Sequence, residues 1–88
     1  MARYLVESYM PNRVDSVERT RAVAESLARA RGVRYVRAIF VPEDETCFHV
    51  VEAASPAAVG AAASEASVPV ERIAEAVELS RRNLKEEP

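Results

Sequence analysis

The order of its strand-like and helix-like segments is the feature that most constrains the fold of this chain. Two segments of half-polar, strand-forming residues, 33–41 and 46–54, are joined by the short acidic turn 42–45. A helical pattern precedes this pair and another follows it. The resulting βαββαβ order predicts a ferredoxin-like α+β sandwich. Right-handed crossovers would give an antiparallel sheet with the strand order 4-1-3-2 and both helices on one face.

Local signals set the expected boundaries of these segments. Residues 3–9 favour a first strand, which Pro11 ends. Asp15 or Ser16 can cap the first helix, and Gly32 follows its end. The pair Ser55-Pro56 predicts the start of a second helix that runs to about residue 66. Residues 71–79 complete the pattern as a fourth strand, so we expect one domain over 1–80 and a charged, flexible tail over 81–88.

Composition excludes several classes of function. The 88 residues carry a net charge of −2 without a basic tract, which argues against nucleic acid as a partner. No apolar run is long enough to cross a bilayer, and a charge at Glu7 interrupts any signal-like segment, so neither a membrane partner nor export is expected. The single cysteine, Cys47, excludes an intrachain disulfide and fits a reducing cytoplasm.

Strand alternation divides the sheet residues into two sets. The mostly apolar set is assigned to the helix-covered core: Tyr4, Val6, Ser8, Val36, Ala38, Phe40, Phe48, Val50 and Glu52. The other set is assigned to the open face: Leu5, Glu7, Tyr9, Tyr35, Arg37, Ile39, Cys47, His49 and Val51. A bare sheet face in so small a chain favours a homodimer, in which two sheets meet as an α+β barrel.

The second set contains most of the chemically capable side chains of the strands. His49 titrates near neutrality, and Cys47 lies two residues away on the same strand face, so both could bind one borderline metal ion, with Glu7 from the next strand. Tyr9, Tyr35 and Arg37 are the candidate ligand-binding residues for a small polar molecule. A hydrogen-bonded, inert histidine and a small buried cysteine are the structural alternatives for His49 and Cys47.

Several segments resemble a family of small ferredoxin-like proteins of largely unknown function, one branch of which is described as nickel-binding. The matching segments are Arg3-Tyr4-Leu5-Val6-Glu7, Gly32-Val33-Arg34-Tyr35-Val36, Glu52-Ala53-Ala54-Ser55-Pro56 and Val68-Pro69-Val70-Glu71-Arg72-Ile73. The resemblance implies a ferredoxin-like fold, a homodimer with facing sheets, and nickel or another divalent metal as a cofactor. Where a cysteine is expected after the phenylalanine of the third strand, this chain has His49 after Phe48.

Three functions remain open at this point. The first is a dimeric binding protein that holds a metal ion or a small polar ligand at the sheet face without catalysis. The second is a cofactor-independent monooxygenase or isomerase of the dimeric-barrel class, in which His49 is the base and Arg37 or Tyr35 steadies an enolate. The third is a dimerisation or regulatory module. The sequence favours a protein that is not an enzyme.

Overall fold

The elements follow the predicted βαββαβ order. The computed structural model describes residues 1–82 and residue 84. The strands and helices are, in chain order, β1 (Ala2–Tyr9), α1 (Ser16–Ala28), β2 (Val33–Val41), β3 (Thr46–Ala53), α2 (Pro56–Glu65) and β4 (Arg72–Ala76), with a short 3₁₀ turn at Pro42–Asp44 between β2 and β3.

The four strands form one antiparallel sheet in the order β2-β3-β1-β4. Read from the other edge, this is the predicted order 4-1-3-2, so the fold class is confirmed. In the part of the chain that the structure describes, no helix is long and apolar enough to span a membrane. β3 and β1 are the two central strands of the sheet, and alternate residues of each strand lie on opposite faces.

Local chemistry explains where the helices and turns begin. The Ser55 side chain accepts a hydrogen bond from the Ala58 N–H at 3.1 Å, and Pro56 occupies the first turn, as predicted for α2. Asp15 is the N-cap of α1 but makes no side-chain capping bond. Gly32 has φ +88°, the left-handed conformation that glycine adopts at little cost after a helix.

Both helices pack on one face of the sheet. Their buried side chains meet buried strand residues in one apolar core: Tyr4, Val6, Leu27, Ala30, Val51, Ala53, Val59, Ala62, Ala63 and Val68. The small side chains of α2 allow it to lie close to the strands. A Cβ added at Gly60 would lie 3.9 Å from the Ile73 side chain, which is ordinary contact distance.

The faces of β3 are the reverse of the predicted ones. Cys47, His49 and Val51 are fully buried beneath the helices, where Cys47 pairs with Ser8, His49 with Val6, and Val51 with Tyr4. Phe48, Val50 and Glu52 lie instead on the open face. The alternation was ambiguous because β3 is a central strand with apolar residues in both phases, including the adjacent valines 50 and 51.

A β-bulge accounts for the second difference. Tyr35 pairs with Val51, whereas Arg37 pairs with Val50, so β2 has one extra residue, Val36, between them. Strict alternation would place Tyr35 and Arg37 on the same face, but the extra residue places them on opposite faces. Tyr35 therefore packs against the core, and Arg37 lies on the open face as predicted.

The last strand is shorter than the segment 71–79 that the sequence predicts. β4 ends at Ala76, and residues 77–80 continue beyond the ladder with β1. Most of the predicted tail, 81–88, lies outside the described residues. Leu84 is described, and its N–H donates to the carbonyls of Ser80 and Arg81.

Candidate functional site

Three polar side chains form a connected group beneath α1 on the helix-covered face. The Tyr35 hydroxyl is 2.7 Å from His49 Nδ1, and His49 Nε2 is 3.4 Å from Cys47 Sγ. Tyr35 belongs to β2, whereas His49 and Cys47 are two residues apart on β3 and point to the same side of the strand. The bulge at Val36 keeps Tyr35 on this side, so the geometry of the group depends on it.

Burial keeps this group uncharged. Desolvation lowers the pKa of His49 from 6.5 to about 4, so the imidazole is neutral at pH 7. Desolvation raises the pKa of Tyr35, and the nearby Cys47 raises it further. It also raises the pKa of the Cys47 thiol, a rise that a nearby Thr20 hydroxyl partly offsets. Each of the three side chains can therefore donate or accept a hydrogen bond without carrying a charge.

Thr20 is a site residue that the sequence analysis missed. It lies on α1 and is 8% exposed, and its buried Oγ1 is near the Cys47 thiol but makes no hydrogen bond of normal geometry among the described residues. The spacing of Ser16, Thr20 and Leu27, the buried residues of α1, is the signal that could have found it, because these positions share one helical face. Burying a hydroxyl without a good hydrogen bond destabilises a fold, so the Thr20 hydroxyl near Cys47 is a feature that calls for a role.

The structure does not bring the three predicted metal ligands together. Cys47 and His49 are adjacent, but Glu7 lies on the open face, where it pairs with Phe48 across the strands. Among residues 1–82 and 84, no three histidine, cysteine, aspartate or glutamate side chains are clustered closely enough to hold a metal ion. The donor pair that remains is one nitrogen and one sulfur, which suits nickel, zinc or copper.

The predicted ligand-binding residues also separate. Tyr35 belongs to the buried group, Arg37 to the open face, and Tyr9 to the far end of β1, where its hydroxyl lies 3.4 Å from a Glu45 carboxylate oxygen. A cavity of about 310 Å³ opens between the end of β1 and α1. Its wall includes Ser8, the strand partner of Cys47, but not His49.

Ion pairs dominate one end of the open face. The Glu52 carboxylate accepts from Arg3 Nε at 2.9 Å and from Arg34 Nε at 2.8 Å. These guanidinium groups lower the pKa of Glu52 to about 2. The prediction that Glu52 lies in the core is wrong. Its strand partners are Arg3 and Arg34, and opposite charges favour paired positions on one face of a sheet, so these arginines were the sequence signal for an open-face position.

The fold and its sheet topology define a small ferredoxin-like α+β protein. A comparison with protein families matches residues 4–76 to the family described as "Nickel responsive protein SCO4226-like". The chain belongs to this family, which confirms the family resemblance found in the sequence. No protein in the curated set matches significantly.

A solved structure is similar in fold. The crystal structure of SCO4226 from Streptomyces coelicolor A3(2) aligns with a TM-score of 0.68 and 21% sequence identity, and the alignment covers 90% of this chain and 99% of that one. At this identity the likeness supports the fold alone. The family description supports a nickel-related protein and does not identify a site.

Proposed function

We propose that this protein is a small nickel-binding protein in which Cys47 and His49 supply the protein donors. The observation that carries the proposal is the separation of 3.4 Å between Cys47 Sγ and His49 Nε2. Sulfur and nitrogen ligands of one ion lie about 3.1 Å apart at adjacent corners of the square plane that Ni²⁺ often adopts, and about 3.5 Å apart in a tetrahedron, so the observed separation suits a shared ion. The description of the family as nickel responsive supports nickel as the ion.

The surroundings of His49 support a ligand role. A metal ion needs a neutral imidazole, and burial keeps His49 neutral well below pH 7. With Nε2 facing the metal, the proton resides on Nδ1 and is donated to the Tyr35 oxygen, which fixes the orientation of the ring. The thiol must lose its proton when it binds the metal, so nickel affinity should rise with pH.

Two protein donors leave coordination positions for water or another small ligand. The buried Thr20 hydroxyl, near the Cys47 thiol, is a polar group that could contact such a ligand. We therefore expect weaker binding than at a closed site with four protein ligands, and slow entry of the ion because both donors are fully buried.

The test is a calorimetric titration of metal-free protein with Ni²⁺, together with ultraviolet absorption from thiolate-to-nickel charge transfer. We expect one saturable site, which Cys47→Ala abolishes together with the absorption band. Tyr35→Phe keeps both donors and should weaken nickel binding about 10-fold to 100-fold, the usual cost of losing a group that orients a ligand.

Glu7→Gln is the matched control, because Glu7 was also a predicted ligand but lies on the opposite face of the sheet. Unchanged nickel binding in this variant supports the buried pair. Loss of binding in Glu7→Gln, or full binding in a folded Cys47→Ala variant, would contradict it and return the site to the open face.

We further propose that two copies of the chain pair through the open face. Ile39 is 48% exposed and Tyr9 is 52% exposed on this face, and Phe48 and Leu5 are only half-buried. Both helices pack on the opposite side of the sheet. An exposed apolar sheet face in a small domain gains free energy when it is buried against a second copy.

Sedimentation equilibrium of Ile39→Lys tests this pairing. We expect the wild type to be mainly dimeric. The dimer of the variant should have a much higher dissociation constant, because a lysine would be buried without a partner. Val17→Lys, on the outer face of α1 at 58% exposure, should leave the mass unchanged. A monomeric wild type, or a variant as dimeric as the wild type, would count against the proposal.

A further inference from the structure

A second candidate site lies on the open face, where the chain leaves β4. A cavity of about 570 Å³ is lined there by Arg3, Arg37, Glu78 and the apolar residues Ala2, Ala76 and Leu79. Its arginines, Arg3 and Arg37, are on the opposite face from Cys47 and His49, so they are independent of the proposed nickel site. The cavity also lies toward the end of the face away from Tyr9.

Two arginine side chains converge on one carboxylate in this cavity. Arg37 Nη2 is 2.9 Å from one oxygen of Glu78, and Arg3 Nη1 contacts the other oxygen. The two arginines belong to β1 and β2, which are separated by β3 in the sheet. Glu78 is therefore held between two guanidinium groups whose backbones belong to separate strands of the sheet.

Arg3 is fixed from behind by a second carboxylate. Glu52 of β3 accepts from Arg3 Nε at 2.9 Å, which leaves the terminal nitrogens of Arg3 directed to Glu78. Glu52 also pairs with Arg34. The cluster thus holds three guanidinium groups and two carboxylates, so without Glu78 it would carry an excess of two positive charges.

Glu78 is the least constrained member of the cluster. It lies beyond the end of β4, between Val77 at 82% exposure and Leu79 at 66% exposure. The other members are in strands of the sheet. The Glu78 side chain can turn away while the backbone around it and the strands that carry Arg3 and Arg37 stay in place, and competition from it would weaken an external anion only about fivefold.

We propose that Arg3 and Arg37 form a binding site for a small apolar carboxylic acid, and that Glu78 is its internal competitor. The two guanidinium groups would bind the carboxylate in the position that Glu78 occupies. The apolar part of the ligand would pack against Ala2, Ala76 and Leu79 in the cavity. Arg37 was predicted from the sequence to bind a ligand. In this proposal it does so together with Arg3, which the sequence analysis did not identify.

Benzoate is a suitable probe, titrated into metal-free protein and followed by NMR shifts of the arginine Nε–H groups. Glu78→Gln keeps the shape of the side chain and removes its charge, so we expect benzoate to bind about fivefold more tightly than in the wild type. Adding Arg37→Gln to this variant should abolish the gain. Glu43→Gln, in the acidic turn 42–45 outside this cavity and outside the ion pairs of the cluster, is the matched control and should behave as the wild type.

Inorganic phosphate separates a carboxylate site from a general anion site. Benzoate binding that exceeds phosphate binding in Glu78→Gln supports the proposal, because only benzoate uses the apolar wall. The proposal is overturned if Glu78→Gln binds benzoate no better than the wild type, if the Arg37→Gln double variant keeps the gain, or if phosphate binds as well as benzoate. None of these results depends on whether nickel binds.

Discussion

The two faces of the sheet handle polar side chains in opposite ways. On the helix-covered face, Tyr35, His49 and Cys47 hydrogen-bond to one another as neutral groups, because burial shifts each pKa away from the charged form. On the open face, Arg3 and Glu52 stay charged and pair. The same strands supply both sets, so the solvent exposure of each face decides whether a polar residue acts by hydrogen bonds or by charge.

The adjacent residues Val50 and Val51 give the strongest test of this difference. Val51→Glu would place a carboxylate in the apolar core and should cost at least about 4 kcal/mol of unfolding free energy, enough to unfold so small a domain. Val50 is itself 4% exposed, so Val50→Glu would also bury a carboxylate, but beside Arg37, its strand partner, and it should cost less, about 2 kcal/mol. Urea unfolding followed by circular dichroism measures both.

The same chemical change at neighbouring positions serves as its own control. Equal losses at the two positions would mean that the two faces of β3 are not distinct. A larger loss at Val50 would restore the face assignment that the sequence pattern predicts.

The sequence predicted the path of the chain better than the orientation of its side chains. Ser55-Pro56 and Gly32 marked local boundaries whose chemistry is independent of the rest of the fold, and the βαββαβ order then determined the sheet order. Orientation in β3 could not be read because a central strand is apolar in both phases. Orientation in β2 depends on a bulge at Val36 that leaves no sequence signal.

The candidate site was predicted in part for the same reason. Cys47 and His49 are two residues apart on one strand, so they lie together whichever face they occupy. Glu7 and Tyr35 are on other strands, and their inclusion depended on the relative phase of those strands. The structure therefore keeps the Cys47–His49 pair, removes Glu7 from it and joins Tyr35 to it on the other face.

Acid titration separates the two faces by pH. His49 has a pKa of about 4 in the folded protein against an ordinary value of 6.5, so below pH 6.5 the unfolded chain takes up a proton that the folded one does not. Stability should therefore fall by about 3 kcal/mol between pH 6.5 and pH 4 and level off below that. Urea midpoints across this range measure the slope.

His49→Leu should flatten that slope, since it removes the titrating group. Glu52 titrates over a lower pH range. Its pKa falls from 4.5 to about 2 on folding, so its contribution to stability is present above pH 4.5 and is lost as the pH falls toward 2. Glu52→Gln should alter only this lower window. A His49→Leu variant with the slope of the wild type would mean that His49 does not titrate as a buried group.

Removing the hydroxyl of Tyr35 tests the hydrogen bonds of the buried face. Tyr35→Phe keeps the packed ring and leaves His49 Nδ1 without a partner, so we expect a loss of about 1 kcal/mol. The His49 ring should also become more mobile, which NMR relaxation of its side chain would detect. A variant as stable as the wild type, with a fixed ring, would show that the hydrogen bond contributes nothing to this face.

The smallest effect is expected for an ion pair on the open face. Arg37→Gln removes the contact with Glu78, but Arg37 is 55% exposed, so the loss should be no more than about 0.5 kcal/mol. It should vanish in about 1 M salt, where exposed charges are screened. The loss of unfolding free energy in Tyr35→Phe should be the same in low salt and in about 1 M salt, because it involves neutral buried groups. If both losses disappeared in salt, the buried group would have to carry charge, and the contrast between the two faces would fail.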